Sequence, residues 1–500
     1  MFTKILVANR GEIALRVMRT AQEMGIGTVA VYSDADRKSL HTLAADEAVC
    51  LGPSDPASSY LNIDKIIHAA KAAGAEAIHP GYGFLAENSV FASRVEAEGL
   101  VFIGPPGDVM AALGDKTRAR TIMAKSKVPI IPGMTTTQAD PAKLAAIAGE
   151  IGYPVLVKAA AGGGGKGMRV VQAPRDLPEA IDLAAGEALR SFGDGAVYLE
   201  KHLDSPRHVE VQILADKHGN AVHLFERECS IQRRHQKIIE ETPSPALNEE
   251  LRERMGAAAV AAAKAAGYVN AGTVEFLLDK SGNFYFLEVN TRLQVEHPVT
   301  EMITGLDLVR RQIRIAEGRP LPFSQADITR RGHAIECRIY AEDPENQFMP
   351  SPGKILYVKS AEGPGVRFDH GVYGGCDVPV HYDPILGKLV VWAEDRRAAC
   401  ARMIRALKET VILGVKTPIE FLMDVIASAA FQAGEIHTRF IEDNFADWRP
   451  DREADQTALL ACVASEMLAP SLAAGAGSPS SAKPLHVSPW HTLGAWDMGR

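Results

Sequence analysis

Lys4-Ile5-Leu6-Val7-Ala8-Asn9-Arg10-Gly11-Glu12-Ile13-Ala14 opens the chain with an apolar run, a polar break and the start of a helix. Ile13, Val17 and Met24 recur at helical spacing, and Gly25 and Gly27 end the pattern. Thr28 to Tyr32 is a second apolar run, closed by Ser33-Asp34. Strand, helix and strand in that order predict a parallel sheet, because a crossover helix lets the second strand run in the same direction as the first. Ala77-Ile78-His79-Pro80 and Leu100 to Gly104 read as further strands of that sheet, and the block is expected to close near Gly114.

A second block follows. Thr121 to Lys127 reads as a helix, and Pro129, Pro132 and Gly133 mark a loop. Tyr153 to Ala160 and Met168 to Gln172 read as strands, and Ala257 to Ala266 as an alanine-rich helix. Val274 to Asp279 and Phe284 to Val289 read as strands joined by Lys280-Ser281-Gly282-Asn283. Gly332 to Tyr340 starts a third block, in which short strands alternate with Gly and Pro; it contains a helix over Arg396 to Thr410 and ends near Phe445. The fold class is therefore α/β (α+β). Ala473 to Pro484 reads as a flexible linker. Trp448, Trp490 and Trp496 lie in the tail, which is expected to be a docking segment or the beginning of a further domain.

Composition narrows the function. The 500 residues carry 54 basic and 62 acidic side chains, a net charge of −8, which argues against general electrostatic binding to nucleic acid or to an anionic membrane. Hydrophobic content of 46% and charged content of 23% exclude a mainly disordered or fibrous chain. The six cysteines include no Cys-x-x-Cys pair, so neither a zinc site nor a disulfide framework is expected. No apolar run approaches the roughly 18 residues of a membrane span, and no targeting segment precedes the first strand. A cytoplasmic location is expected.

Ala161-Gly162-Gly163-Gly164-Gly165-Lys166-Gly167 lies between two expected strands. Its glycines leave backbone N–H groups free to approach an anion. It is not a P-loop: Gly167 follows the lysine, the glycine spacing fails and no helix follows. It is either a flexible hairpin turn or a flap over phosphates, with Lys158 supplying a cation beside it.

In a symmetric hairpin about Ser281-Gly282, Glu275 stands directly opposite Glu288, and alternation puts Asn290 and Arg292 on the same face. The two carboxylates are either solvent-facing groups of an outer strand or ligands of a Mg²⁺ that bridges nucleotide phosphates. Asn290-Thr291-Arg292-Leu293-Gln294-Val295-Glu296-His297-Pro298 follows; in it Arg292 suits a clamp for a small carboxylate-like anion and Glu296 a general base. Glu226 to Lys237 is a second charged stretch, either a solvated face or, interrupted as it is by apolar residues, an anion site.

Taken together and in order, Ile5 to Ala14, His79-Pro80-Gly81-Tyr82-Gly83-Phe84-Leu85, Gly114-Asp115-Lys116, the Gly-rich loop, Arg233-Arg234-His235-Gln236-Lys237 and Glu288 to His297 resemble the biotin carboxylase family of ATP-grasp enzymes. The resemblance runs from about residue 1 to 445. His437-Thr438 and Phe440-Ile441-Glu442 resemble the α subunits of acyl-CoA carboxylases, such as the methylcrotonoyl-, propionyl- and acetyl-CoA enzymes. Ser488-Pro489-Trp490 resembles the segment that leads into their next domain.

The resemblance implies an N-terminal biotin carboxylase domain over 1–114, an ATP-grasp domain over 115–331 with a mobile lid at about 131–203, a C-terminal mixed β domain over 332–445 and a tail over 446–500. It implies ATP-dependent carboxylation of biotin by bicarbonate through carboxyphosphate, with Mg²⁺ or Mn²⁺. Lys116, Lys158, Gly163, Gly164, Gly165, Glu200, Lys201, His202, Leu203, His208, Gln232, His235 and Leu277 then bind ATP. Glu275, Glu288 and Asn290 hold the metal, and Lys237, Arg292, Gln294 and Val295 bind bicarbonate. Glu296 deprotonates bicarbonate and Arg338 binds biotin, so that Arg292, Glu296, Lys237 and Arg338 form the catalytic set.

Blander readings compete for some of these residues. Lys201 and His202 could equally cover strand surface, Arg338 could be a structural salt-bridge partner, and Arg16 reads as a surface cation. Arg439 stands where the family has glycine, Thr242 replaces a small apolar residue, and no Met-Lys-Met biotinylation motif occurs. The biotin is therefore expected on another chain or domain. The implied partners are a biotin carboxyl carrier protein or domain, a second copy of the chain in a homodimer or larger assembly, and a carboxyltransferase subunit. The alternatives are the biotin carboxylase subunit of a pyruvate carboxylase, another ATP-grasp bicarbonate-activating ligase, or a non-catalytic scaffold.

Overall fold

The computed structural model describes residues 1–134, 137, 140–159, 168–193, 195–451 and 458–464. Strands β1 (Lys4–Val7), β2 (Gly27–Ser33), β3 (Glu47–Gly52), β4 (Ala77–His79) and β5 (Val101–Phe102) form the expected parallel sheet, in the order β3-β2-β1-β4-β5. The first helix, Gly11–Glu23, buries Ile13, Val17 and Ala21 in one core with Ile5 and Val7. Arg16 corrects the sequence reading. It is buried rather than superficial, and it donates to Glu301 at 2.7 Å and Asp307 at 2.9 Å. A buried guanidinium needs such partners, and these lie nearly three hundred residues further along the chain.

A small sheet, ordered β7-β6-β8, comprises β6 (Val155–Ala159), β7 (Met168–Val171) and β8 (Val197–Lys201). It has its own core, which includes Leu144, Val157, Ile181 and Leu199. The Gly-rich run with Gly163, Gly164 and Gly165 lies outside the described residues.

The large sheet holds β9 (Arg207–Ala215), β10 (Ala221–Arg233), β11 (Gln236–Thr242), β12 (Asn270–Leu278), β13 (Phe284–Asn290) and β14 (His333–Tyr340). Its order is β13-β12-β9-β10-β11-β14, followed by the strands Ile385–Ala393 and Val366–His370. Neighbours run antiparallel throughout. Glu275 faces Glu288 as expected, but the register slips by one immediately afterwards, so that Phe276 pairs with Phe286 and Leu287 is the extra residue of a bulge.

Period-two alternation gives this sheet two different faces. On one, Val209, Val211, Val274 and Phe276 pack with Met255, Ala259 and Ala262 of the helix Glu249–Ala265. Further along, Ile335, Cys337, Leu389 and Val391 pack with Cys400, Met403 and Leu407 of the helix Arg396–Glu409. The alternate residues His208, Glu210, Gln212, Glu275, Glu336, Arg338 and Lys388 are polar and also buried. The helix His297–Thr304 packs on β10, β11, β14 and Ile385–Ala393. Much of the charged stretch Glu226 to Lys237 is thus buried strand rather than solvated face, and Arg227 has 0% exposure.

Met1–Trp448 forms one compact unit and Arg449–Arg500 another. Trp448 belongs to the first, where its Nε1 donates to Asp424 at 2.7 Å. In the second, residues 458–464 are helical, and the linker Ala473 to Pro484, Trp490 and Trp496 lie outside the described residues. No described helix is long and apolar enough to cross a membrane. The six cysteines are free.

Arg10, just before the first helix, grips Asp36 through Nε at 2.6 Å and a terminal nitrogen at 2.7 Å, and Asp36 also accepts from the Tyr60 hydroxyl at 2.6 Å. Burial alone would raise the Asp36 pKa, but Arg10, helped by His41 and Tyr60, holds it down at about 2. A depressed carboxylate pKa contributes stability above its unfolded value of 3.8, and that stability is lost as pH falls through about 2. Asp36→Asn should therefore lower the neutral-pH melting temperature by several degrees. It should also flatten the acid limb of the melting curve between about pH 4 and pH 2.

Candidate active site

Lys237 enters the polar face from the start of β11. Its ammonium donates to Glu210 at 2.6 Å, Glu275 at 2.7 Å and Glu296 at 2.9 Å. These carboxylates come from β9, from β12 and from the residue that precedes the helix His297–Thr304. Arg227 takes the other oxygen of Glu210 at 2.6 Å and spends its remaining donors on Gln212, Thr273, Thr300 and Gln294. His208, Glu210 and Glu275 have the donor types of a metal site. The Lys237 ammonium already neutralises two of them, so the group reads as an ion-pair cluster.

Arg338, on β14, donates to Glu240 at 2.6 Å and to Glu296 at 3.0 Å. Glu296 thus has one oxygen on Lys237 and the other on Arg338. Burial would raise its pKa, but Lys237, Arg338 and Arg227 hold it well below the usual carboxylate range. It therefore remains an ionised acceptor, the resting form of a general base. Glu240 goes the other way, and burial pushes it up to about 7 despite Arg338.

Arg292 donates to Glu87 at 2.9 Å and to Asn290 at 3.2 Å. Asn290 and Gln294 both donate to Glu275, at 2.8 and 2.9 Å. His208 lies 3.0 Å from Glu275 and 2.9 Å from Gln232. Lys237, Arg292 and Gln294 therefore belong to one network with Glu296 and Glu275, a donor set that suits a small planar anion.

A cavity of about 280 Å³ is lined by Lys116, Lys158, Glu200, Glu288 and Asn290, among others. Glu200 pairs with Lys158 at 2.5 Å and also with Arg120. Burial holds the Lys116 pKa below its usual value although Glu288 pulls the other way. Among the described residues, the Glu288 carboxylate has no hydrogen bond or ion pair. The side chain is solvent-exposed on the edge strand β13, in keeping with the solvent-facing reading, although the crowding of nearby protein and the facing Glu275 still raise its pKa against the pull of Lys116. An unpartnered carboxylate beside the Asn290 amide oxygen offers the hard oxygen donors that fit Mg²⁺.

The other expected residues are less engaged. Lys201 donates to the carbonyls of Gly152 at 2.8 Å and Tyr153 at 3.1 Å, which supports the blander reading of it. His202, Leu203 and Leu277 are half-buried, and Leu277 shares the face of Glu275. His235 is exposed in the turn between β10 and β11. Val295 contributes its carbonyl to Lys388 at 2.7 Å. Sequence reasoning does not single out Glu87, Arg120, Glu210, Arg227 or Glu240. The alternation His208-Val209-Glu210-Val211-Gln212 carries a signal for Glu210, whereas Glu87 reaches Arg292 only through the tertiary fold.

Residues 1–110 match the family model described as biotin carboxylase, N-terminal domain, and residues 336–443 match the biotin carboxylase C-terminal domain. Residues 115–324 match the carbamoyl-phosphate synthase L chain, ATP binding domain. A solved structure, the biotin carboxylase domain dimer of Hydrogenobacter thermophilus 2-oxoglutarate carboxylase with MgADP, ADP and bicarbonate, superposes with a TM-score of 0.85 at 47% identity. The match covers 90% of this chain and 100% of that one. The chain belongs to the biotin carboxylase family. Like other biotin carboxylases it is an ATP-dependent ligase. A pyruvate carboxylase subunit of Methanothermobacter thermautotrophicus is 56% identical over 443 residues, which cover 89% of this chain and 90% of that protein. The alpha subunit of mitochondrial methylcrotonoyl-CoA carboxylase from Mus musculus is 52% identical over 449 residues. That match covers 90% of this chain but only 63% of the mouse protein.

Removing the Lys237 ammonium takes the shared cation from three buried carboxylates, leaving Arg227 on Glu210 and Arg338 on Glu296 to compensate them only in part. Lys237→Met should cost about 3–5 kcal/mol at neutral pH, read as a drop in melting temperature. The drop should shrink in acid, where the carboxylates can be neutralised by protons instead.

Proposed function

We propose that this chain is the biotin carboxylase component of a biotin-dependent acyl-CoA carboxylase, and that it carboxylates biotin held on a carrier protein or domain. The observation that carries the reading is Glu296 held between Lys237 and Arg338, in the network that continues through Glu275 and Asn290 to the Lys116 and Lys158 cavity. The proposed division is 1–114, then 115–331 with a lid at about 131–203, then 332–445, with 446–500 leading towards further parts of the assembly. The three matched family models, over 1–110, 115–324 and 336–443, support the division into the first three parts.

Bicarbonate is a poor electrophile and must be activated by phosphoryl transfer as carboxyphosphate. Lys116 and Lys158 hold the phosphates, and Gly163, Gly164 and Gly165 contribute to ATP binding. Glu200, His202, Leu203 and Leu277 line the base, with Lys201, whose ammonium is held by Gly152 and Tyr153, contributing only its backbone, while His208, Gln232 and His235 face ribose and phosphate. Glu275, Glu288 and Asn290 would hold Mg²⁺, which when bound neutralises phosphate charge. Lys237, Arg292, Gln294 and Val295 hold bicarbonate, and the ionised Glu296 accepts its proton. Val295 is apolar, so its contribution to an anion is its backbone N–H. Arg338 stays charged at every working pH, and its rigid fork stabilises the ureido oxygen as biotin N1 is deprotonated. The partners are a second copy of this chain and a carboxyltransferase subunit. The free thiols agree with a cytoplasmic location.

A second reading, the biotin carboxylase subunit of a pyruvate carboxylase, is favoured by the 56% identity to such a protein. The two readings differ only in the acceptor. Transfer of labelled carboxylate within the native assembly to acyl-CoA rather than to pyruvate separates them.

The core reading is tested by ADP release with and without bicarbonate and free biotin; release indifferent to bicarbonate ends it. Glu288→Gln should damage all ATP turnover. Glu296→Gln should leave nucleotide binding near wild type and slow bicarbonate-dependent cleavage by about 10²–10⁴-fold. Equal losses of nucleotide affinity in the two variants would contradict this division of roles. Arg338→Ala should abolish biotin carboxylation and largely spare the biotin-free ATPase. Joint loss of stability and of both activities would identify Arg338 as a structural partner instead.

A further inference from the structure

Lys388 is fully buried on the strand Ile385–Ala393, where it stands beside Arg338 on one side and Asp369 on the other. Its ammonium donates to the Val295 carbonyl at 2.7 Å and lies 3.2 Å from Glu12. It also lies 5.5 Å from the centroid of the Tyr82 ring, and the Tyr82 hydroxyl donates to the same Glu12 oxygen. Glu12 starts the first helix and Tyr82 follows β4, so the cluster joins three remote parts of the chain. The fit is tight, since a Cβ on Gly371 would lie 2.9 Å from the Glu12 nitrogen.

Burying an ammonium costs several kcal/mol unless partners compensate it. A methionine of similar length would fill the same space without that cost. Lys388 spends its charge on a main-chain carbonyl in the irregular turn from Leu293 to Glu296. Among the described residues, the other side chains that grip carbonyls of that turn are Arg292, on Leu293, and His297, on Gln294 at 2.8 Å. The peptide unit is planar, so the Val295 carbonyl held by Lys388 fixes the N–H of Glu296, and the Gln294 carbonyl held by His297 fixes the N–H of Val295. Among the described residues, the N–H of Val295 has no hydrogen-bond partner.

We propose that Lys388 is a positioning residue for the bicarbonate pocket, acting through the Val295 carbonyl with Glu12 as its counter-ion. The inference rests on the assignment of Gln294, Val295 and Glu296 to bicarbonate binding and activation made above. Lys388 does not touch the anion. It holds the Val295–Glu296 peptide, the backbone from which the Glu296 carboxylate projects, immediately after the Val295 N–H that faces the same small molecule.

The experiment compares full-length wild type, Lys388→Met and the double variant Lys388→Met with Glu12→Gln. Melting temperature and the KM values for bicarbonate and ATP in the biotin-free ATPase are measured for each. The single variant leaves Glu12 uncompensated and is expected to melt early. The double variant removes both charges, keeps an acceptor for Tyr82 and is expected to melt near wild type. The bicarbonate KM of the double variant should rise about 10–100-fold, as for a displaced binding group, with the ATP KM near wild type. A double variant with a wild-type bicarbonate KM overturns the proposal, because Lys388 then serves only to balance Glu12. Equal increases in both KM values overturn it too, since they indicate general loosening. If wild type itself releases ADP without regard to bicarbonate, the functional reading fails and this inference falls with it, an outcome visible before any variant is made.

Discussion

The buried charge balance on one face of the large sheet is the constraint to which the rest of the structure answers. Lys237 meets Glu210, Glu275 and Glu296, Arg227 meets Glu210, and Arg338 joins Glu240 to Glu296. Any one of these charges left alone in that interior would cost several kcal/mol. Their mutual satisfaction therefore ties together β9, β10, β11, β12, β14 and the start of the helix His297–Thr304. The opposite face needs only apolar packing and supplies it through two helices. The sheet thus separates a stability layer from a chemical layer by alternation alone.

The same balance fixes the side chains of the proposed site in advance. Glu296, the proposed base, is kept ionised by two cations that contact its two oxygens. Arg292 is held by Glu87 and Asn290, so its fork is oriented in advance. Donors held in place by other protein groups need little reorganisation when charge develops, which is where electrostatic stabilisation is largest. Glu288 is the complement: exposed on the edge strand, opposite Glu275 and beside a lysine-lined cavity, it has no hydrogen bond or ion pair among the described residues.

Both ends of the compact unit converge on the helix that begins after Glu296. Arg16 of the first helix binds Glu301, and Arg367 binds the other oxygen of Glu301 at 2.7 Å. Lys388 binds both Glu12 and the Val295 carbonyl. The parallel sheet and the last two strands of the large sheet are therefore joined through ion pairs that also brace the turn carrying Glu296. Surface pairs would add little to such a union, but buried ones with complementary geometry specify a single arrangement.

The sequence alone was enough for the parallel sheet, for the hairpin that opposes Glu275 and Glu288, and for the order of motifs that resembles the biotin carboxylase family. These are local signals: apolar runs, period-two alternation, glycine and proline punctuation, and residues close together in the chain. It did not reveal that Arg16 is buried, that Glu87 orients Arg292, that the register slips after Glu275, or that Lys388 holds Val295. Each of these depends on a partner tens to hundreds of residues away, or on how a strand settles against neighbours on both sides. A charged residue carries no mark in the sequence that distinguishes a solvated position from a buried, paired one. Only the folded chain decides, because the cost of burial is offset by a partner whose position is set by packing rather than by spacing.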